Sequence, residues 1–220
     1  MVSGRREAAR AVILVAEVLA VVLAVLLDVL IPTLVILLFA TASLAARRER
    51  PSTLGFHRVA HPWRLVWQMA AFAVVWTLIH VALFIPVLSH LTGQEQDVSD
   101  FEELEGNVTL LVVLLLLSWT LAAVGEEAAY RGYLQTRLTQ LIGASGLALV
   151  VSIACSSVLF GLAHTEQGVV GVSLATIDGI AYCVLRYQFA TLWASVLAHG
   201  FINTIGMVSF FIVGPIYAFW

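Results

Sequence analysis

Two adjacent carboxylates and an arginine follow a nearly uninterrupted apolar run, 110–124, in the stretch Gly125-Glu126-Glu127-Ala128-Ala129-Tyr130-Arg131. Charge inside a bilayer has lost its water, so a membrane protein keeps such groups where they face a cavity or one another. At helical spacing Glu127 and Arg131 are i and i+4 with the acid N-terminal, an arrangement that permits pairing. Glu126 points about 100° away round the helix and is free to face something else.

Two further polar sites interrupt apolar helices. Phe160-Gly161-Leu162-Ala163-His164 closes one run, and His199-Gly200-Phe201-Ile202-Asn203 lies inside another. Residues four apart share a helix face, so His199 and Asn203 point the same way and Phe160 sits beneath His164. A carboxylate beside a histidine can orient and deprotonate water. A histidine and an asparagine amide can donate to a developing oxyanion. The set therefore fits a water-based acyl hydrolase that needs no serine or cysteine nucleophile. No HExxH helix is present. Glu126, His164 and His199 are nevertheless candidate zinc ligands, since imidazole and carboxylate suit that metal. Asn203 fits an oxyanion donor better than a zinc ligand. Both a metal-free site and a site with one zinc ion stay open.

Each site alone has a bland reading. The Glu-Glu-Arg stretch can be a solvated face, His164 a carbonyl cap at a helix end, and His199 with Asn203 interhelical glue. Three such coincidences in one chain are less economical than one shared site. Glu17, Asp28 and Asp178 are also intramembrane acids, and His80 reads as a packed, hydrogen-bonded histidine, so this bundle tolerates polar groups for other reasons too.

Positioning these groups falls to a membrane bundle. The chain has 220 residues, 61% hydrophobic and 11% charged, with mean hydropathy +0.98, far from the quarter charged of soluble domains. The net charge of −3 says less than its distribution. All eleven basic residues are arginines, while the segment 91–106 holds six acids and no arginine. Arg5, Arg6 and Arg10 precede the first apolar run, and Arg47, Arg48, Arg50, Arg58 and Arg64 follow the second. The positive-inside rule makes those clusters cytoplasmic, puts the N-terminus inside and the acidic loop outside, and fits a bacterial cell membrane. Cys155 and Cys183 lie in apolar runs as small packers, with no disulfide framework.

Residues 11–45 are too long for one crossing at roughly 20 residues per span. They predict a tight hairpin, 11–27 and 30–45, with Asp28 and Pro32 near the turn. A cleaved signal peptide would also begin with Arg-Arg and an apolar core, but no soluble domain follows. Trp63 and Trp67 suit an interfacial belt at the start of a third span reaching about residue 89. Asn107-Val108-Thr109 matches a glycosylation sequon but abuts the membrane. The fourth span starts near Val108, and Gly143 and Ser145-Gly146 then turn the chain. The fifth, sixth and seventh run over 147–164, 169–186 and 191–213, with Pro215 breaking the last. The expectation is an all-α polytopic bundle of about seven spans, possible count eight. It divides into N-terminal helices and acidic loop (1–105), a core (106–208) and a tail (209–220). Heights measured from the 143–146 turn place Glu126 and His164 at one depth, roughly 25–27 Å away at 1.5 Å per residue. His199 and Asn203 come out shallower.

The motifs EExxxR, FxxxH and HxxxN, in this order, resemble the signature of the CPBP family, the CAAX proteases and bacteriocin-processing enzymes, also called abortive-infection-type proteins. Here they read Glu126 to Arg131, Phe160 to His164 and His199 to Asn203. Arg131-Gly132 with Tyr133-Leu134-Gln135 looks like the family's continuation, and Tyr130 stands where its pattern commonly has phenylalanine. The similarity covers about 106–208. It implies an intramembrane endopeptidase in which Glu126 activates water with His164, His199 and Asn203 stabilise the oxyanion, and Glu127 and Arg131 hold the helix. The family is often labelled metalloprotease. The expected partners are a membrane-associated peptide or protein substrate, of CAAX or bacteriocin type, and the lipid bilayer, with no nucleic acid. The competing readings are a transporter or proton relay, which should show paired broken helices, and a non-catalytic immunity or scaffold member.

Overall fold

The computed structural model describes residues 2–143 and 145–214, with side chains from Ala8 onward. Pro215 and the end of the expected tail lie outside the described residues. Apolar composition and the need to satisfy every backbone group internally dictate helices, and among the described residues there are no strands. Among the described residues seven rods result, as the hydropathy pattern predicts. The first two are α1 (Val2–Leu26) and α2 (Pro32–Arg47), joined by a turn in which Asp28 and Leu30 take positive φ and Pro32 starts the next helix at its first turn. The third is α3 (Pro62–Ile79), a π segment (His80–Phe84) and α4 (Ile85–Thr92). Pro86 cannot donate to the ladder, and the wider turn before it absorbs the loss. The fourth is α5 (Val108–Leu117), a long π segment (Ser118–Leu134) and α6 (Gln135–Ile142). The last three are α7 (Gly146–Leu162), α8 (Gly168–Phe189) and α9 (Leu192–Val213). Five of the rods are long and apolar enough to cross a bilayer; α2 and α7 are shorter. Leucines, valines and tryptophans cover the outer surface, with Trp63 76% and Trp67 74% exposed. This is the surface of an integral membrane bundle.

The Ser118–Leu134 segment departs from the expected α-helix. Its i→i+5 bonding holds an extra residue per turn, a geometry otherwise confined to single turns and common at functional sites. Consecutive side chains then point in more similar directions than in an α-helix, and the segment climbs less per residue.

The two ends of the bundle differ. At one end Arg137 reaches Glu49 at 2.8 Å and Glu17 at 3.3 Å, and Arg47 meets Glu17 at 2.8 Å. Glu17, an isolated acid in the sequence, is thereby neutralised by two arginines. The Leu192 amide donates to the Gly55 carbonyl at 2.8 Å, and Arg186 donates to Gln135 at 3.0 Å. At the other end the acidic loop folds over the helix tips. The Asp97 amide donates to the Gln167 carbonyl at 3.1 Å, the Gly106 amide to Phe211 at 3.0 Å, and Val98 and Leu104 are buried with Phe210. Both cysteines are free, Cys155 exposed and Cys183 buried.

Candidate active site

Helix approach sets the geometry of the site. A Cβ on Gly200 would stand 2.5 Å from the Trp119 ring, so only glycine lets α9 lie this close to the long π segment. A Cβ on Gly161 would stand 2.6 Å from the Val172 carbonyl oxygen, which holds α7 tight to α8 in the same way. His199 and Phe160 are each next to, or part of, one of these approaches.

Glu127 and Arg131 are wholly buried and pair at 3.1 Å, four residues apart, as their spacing permits. The Arg131 guanidinium also sits 3.9 Å above the Phe160 ring and 5.2 Å from that of Tyr182. A buried cation needs such company, because an uncompensated one costs several kcal/mol. His199 bridges the two acids: Nδ1 is 3.1 Å from Glu127 Oε1 and Nε2 is 3.9 Å from Glu126 Oε2. Its ring stacks on Tyr182, with centroids 4.9 Å apart at 14°. Glu126 Oε2 is buried and has no hydrogen-bond partner among the described residues. His164 Nδ1 lies 2.8 Å from the Phe160 carbonyl. A carbonyl only accepts, so this nitrogen carries a proton, and in the neutral ring Nε2 keeps its lone pair. The Phe160 ring packs edge-on to His164 at 4.7 Å and to Tyr130 at 5.2 Å. The Asn203 side chain makes no hydrogen bond to another described residue.

Glu126, His164, His199 and Asn203 line a single cavity of about 270 Å³. The structure thus brings together all four residues singled out from the sequence. Their contacts refine the expected depths: the partner nearest Glu126 is His199, not His164. The π segment explains this, since its low rise draws Glu126 toward the 143–146 turn and level with His199.

The sequence reading missed a second cluster on the same cavity. His80 Nε2 lies 3.0 Å from Asp178 Oδ1, off the line of a hydrogen bond, and the Trp76 indole donates to the same oxygen at 2.6 Å. Trp76 and His80 are four apart on one face, and an intramembrane acid demands a partner; together these were the available signal.

The three candidate zinc ligands line one cavity but are not gathered closely enough to share a metal ion. Among the described residues no group of three histidine, cysteine or acidic side chains is placed to hold a metal ion. The donor set as arranged does not fit a resident zinc, and no step below runs through one.

Residues 108–205 match a family model described as type II CAAX prenyl endopeptidase Rce1-like. No curated protein and no solved structure matches the chain. The matched segment contains all three polar motifs and agrees with the family resemblance they carry.

Proposed function

We propose, from the match of residues 108–205 to the model of the Rce1-like type II CAAX prenyl endopeptidases, that this chain is an intramembrane endopeptidase whose nucleophile is water. The observation that carries the reading is the convergence of Glu126, His164, His199 and Asn203 on one cavity. In this mechanism Glu126, whose Oε2 has no hydrogen-bond partner among the described residues, takes a proton from water as the water oxygen bonds to the scissile carbonyl carbon. His164 accepts from that water through Nε2 and orients it. The carbonyl becomes an oxyanion held by the Asn203 amide and by His199 Nε2–H. Collapse re-forms the C=O and breaks the C–N bond, and the proton on Glu126 passes to the departing amine.

For His199 to donate from Nε2 while Nδ1 donates to Glu127, the ring must be an imidazolium. Charge then balances across the cluster, Glu126 and Glu127 against Arg131 and His199. Glu127 and Arg131 act as positioning residues, fixing the ring and the helix that carries Glu126. The substrate is a membrane-associated polypeptide.

The test is a proteomic comparison of membranes carrying wild type and Glu126→Gln. The amide keeps the shape and cannot take the proton, so cleavage products present with wild type should vanish while the variant accumulates at the same level. Identical product sets would refute the reading.

A further inference from the structure

Among the described residues, the cavity reaches toward the acidic-loop end of the bundle and not toward the arginine-rich end. Toward the arginine-rich end it is sealed by a solid layer: Glu127, Tyr130, Arg131, Leu134 and Gln135 are all 0% exposed, with Tyr182 at 2%. No residue from the loops at that end, 48–61 and 190–191, lines it. Toward the other end its wall is made by Gln96, Val98 and Phe101 of the acidic loop, by Gln167, and by Met207 and Phe210 near the end of α9. The loop, fastened to Gln167 by the Asp97 amide and by the Gln96 side chain at 2.9 Å, lies between the catalytic cluster and that face.

The two faces are chemically distinct. Of the eleven arginines, Arg131, Arg137 and Arg186 belong to the helices near the sealed end or the layer itself. The other eight lie in the N-terminal segment, the 46–61 connection and the start of α3. The segments 27–31, 93–107 and 163–167 at the open end carry none. An excess of arginine marks the cytoplasmic side of a bilayer. We infer that the active site is entered from the extracytoplasmic face, and that its substrates are exported, membrane-anchored polypeptides, not lipidated proteins of the cytoplasm. The wall between the catalytic groups and the mouth includes Val81, Ile85, Leu174 and Met207, so the chain that enters presents apolar residues at the cut. This inference rests on the peptidase reading for its substrate class, but not for its direction of entry.

The experiment places one cysteine at a time in the full chain after Cys155→Ala and Cys183→Ala. Met207→Cys reports the cavity wall, Ser99→Cys the acidic loop and Ser52→Cys the arginine-rich loop. Intact cells receive a membrane-impermeant maleimide. Met207→Cys and Ser99→Cys should label, and Ser52→Cys should label only after permeabilisation. Labelling of Ser52→Cys in intact cells, or failure of Met207→Cys to label there, overturns the inference. Labelling does not depend on catalysis, so this result stands apart from the peptidase reading. The two are joined in proteoliposomes of sorted orientation, supplied from outside with an impermeant quenched peptide of apolar sequence. Vesicles with the acidic loop outward should cut it and inverted ones should not. Cutting by the inverted vesicles alone overturns the direction of entry, while no cutting in either orientation counts against the peptidase reading.

Discussion

The cavity has two walls, each with a histidine against a carboxylate, and they are built differently. On the wall formed by the long π segment and α9, His199 faces two acids, a buried arginine stands behind them, and Tyr182 stacks on the ring. On the wall formed by the third rod and α8, His80 faces one acid, which also accepts from the Trp76 indole. The His80 pair stays 12% and 16% exposed, whereas Glu127 and Arg131 are at 0%. The first wall spends a fully desolvated cation to fix its acids, a cost that a packing contact alone does not require. The second holds its acid with one neutral donor and a ring, which suits lining a cavity but not organising one.

Five substitutions test the contrast. Glu126→Gln should have the largest effect, removing about 10²–10⁴ in turnover by loss of a general base with an unchanged melting temperature. Retained turnover would move catalysis off this wall. Arg131→Ala should cost about 3–5 kcal/mol in stability by leaving Glu127 buried without its arginine, read as a lower melting temperature and yield. Normal melting would mean that the ion pair is not what holds the wall. Asn203→Ala should lower the rate by about 10²–10³, the usual loss for one oxyanion donor. Asn203→Asp sharpens this, because a carboxylate repels an oxyanion. A chelator-sensitive gain in activity with bound metal would reverse the chemical assignment. Asp178→Asn should be the mildest, about 1 kcal/mol in melting, since the amide oxygen can still accept from Trp76. A loss of turnover as deep as that of Asn203→Ala would erase the distinction between the walls.

The sequence made the first wall legible because its residues come in pairs at helical spacing. Glu127 with Arg131, Phe160 with His164 and His199 with Asn203 are each i, i+4 in apolar surroundings, and such pairs share a face whatever the tertiary fold. Rod boundaries were legible for a similar reason, since Pro32, Pro62, Gly143 and the tryptophans mark turns and interfaces directly. The second wall was not, because His80 and Asp178 are 98 positions apart in the sequence and only the packing of the third rod against α8 brings them together. The π geometry of Ser118–Leu134 was equally hidden. Its composition is that of an apolar helix, and the extra residue per turn follows from neighbours such as Trp119 against Gly200. That hidden geometry is also why heights counted at the α-helical rise set Glu126 level with His164 instead of His199.

The wide helix has a consequence for how the chain tolerates changes in length. Each i→i+5 turn stores one residue more than the register of an ordinary helix requires. Deleting a single residue from its outer portion, 120–124, is expected to tighten one turn to i→i+4 and leave Glu126 and everything after it in place. The same deletion in α9 ahead of His199 has no such slack, and would rotate His199 and Asn203 by about 100° away from the cavity. Between two helices of similar composition, the one that carries the acids can shed a residue, and the one that carries the oxyanion donors cannot.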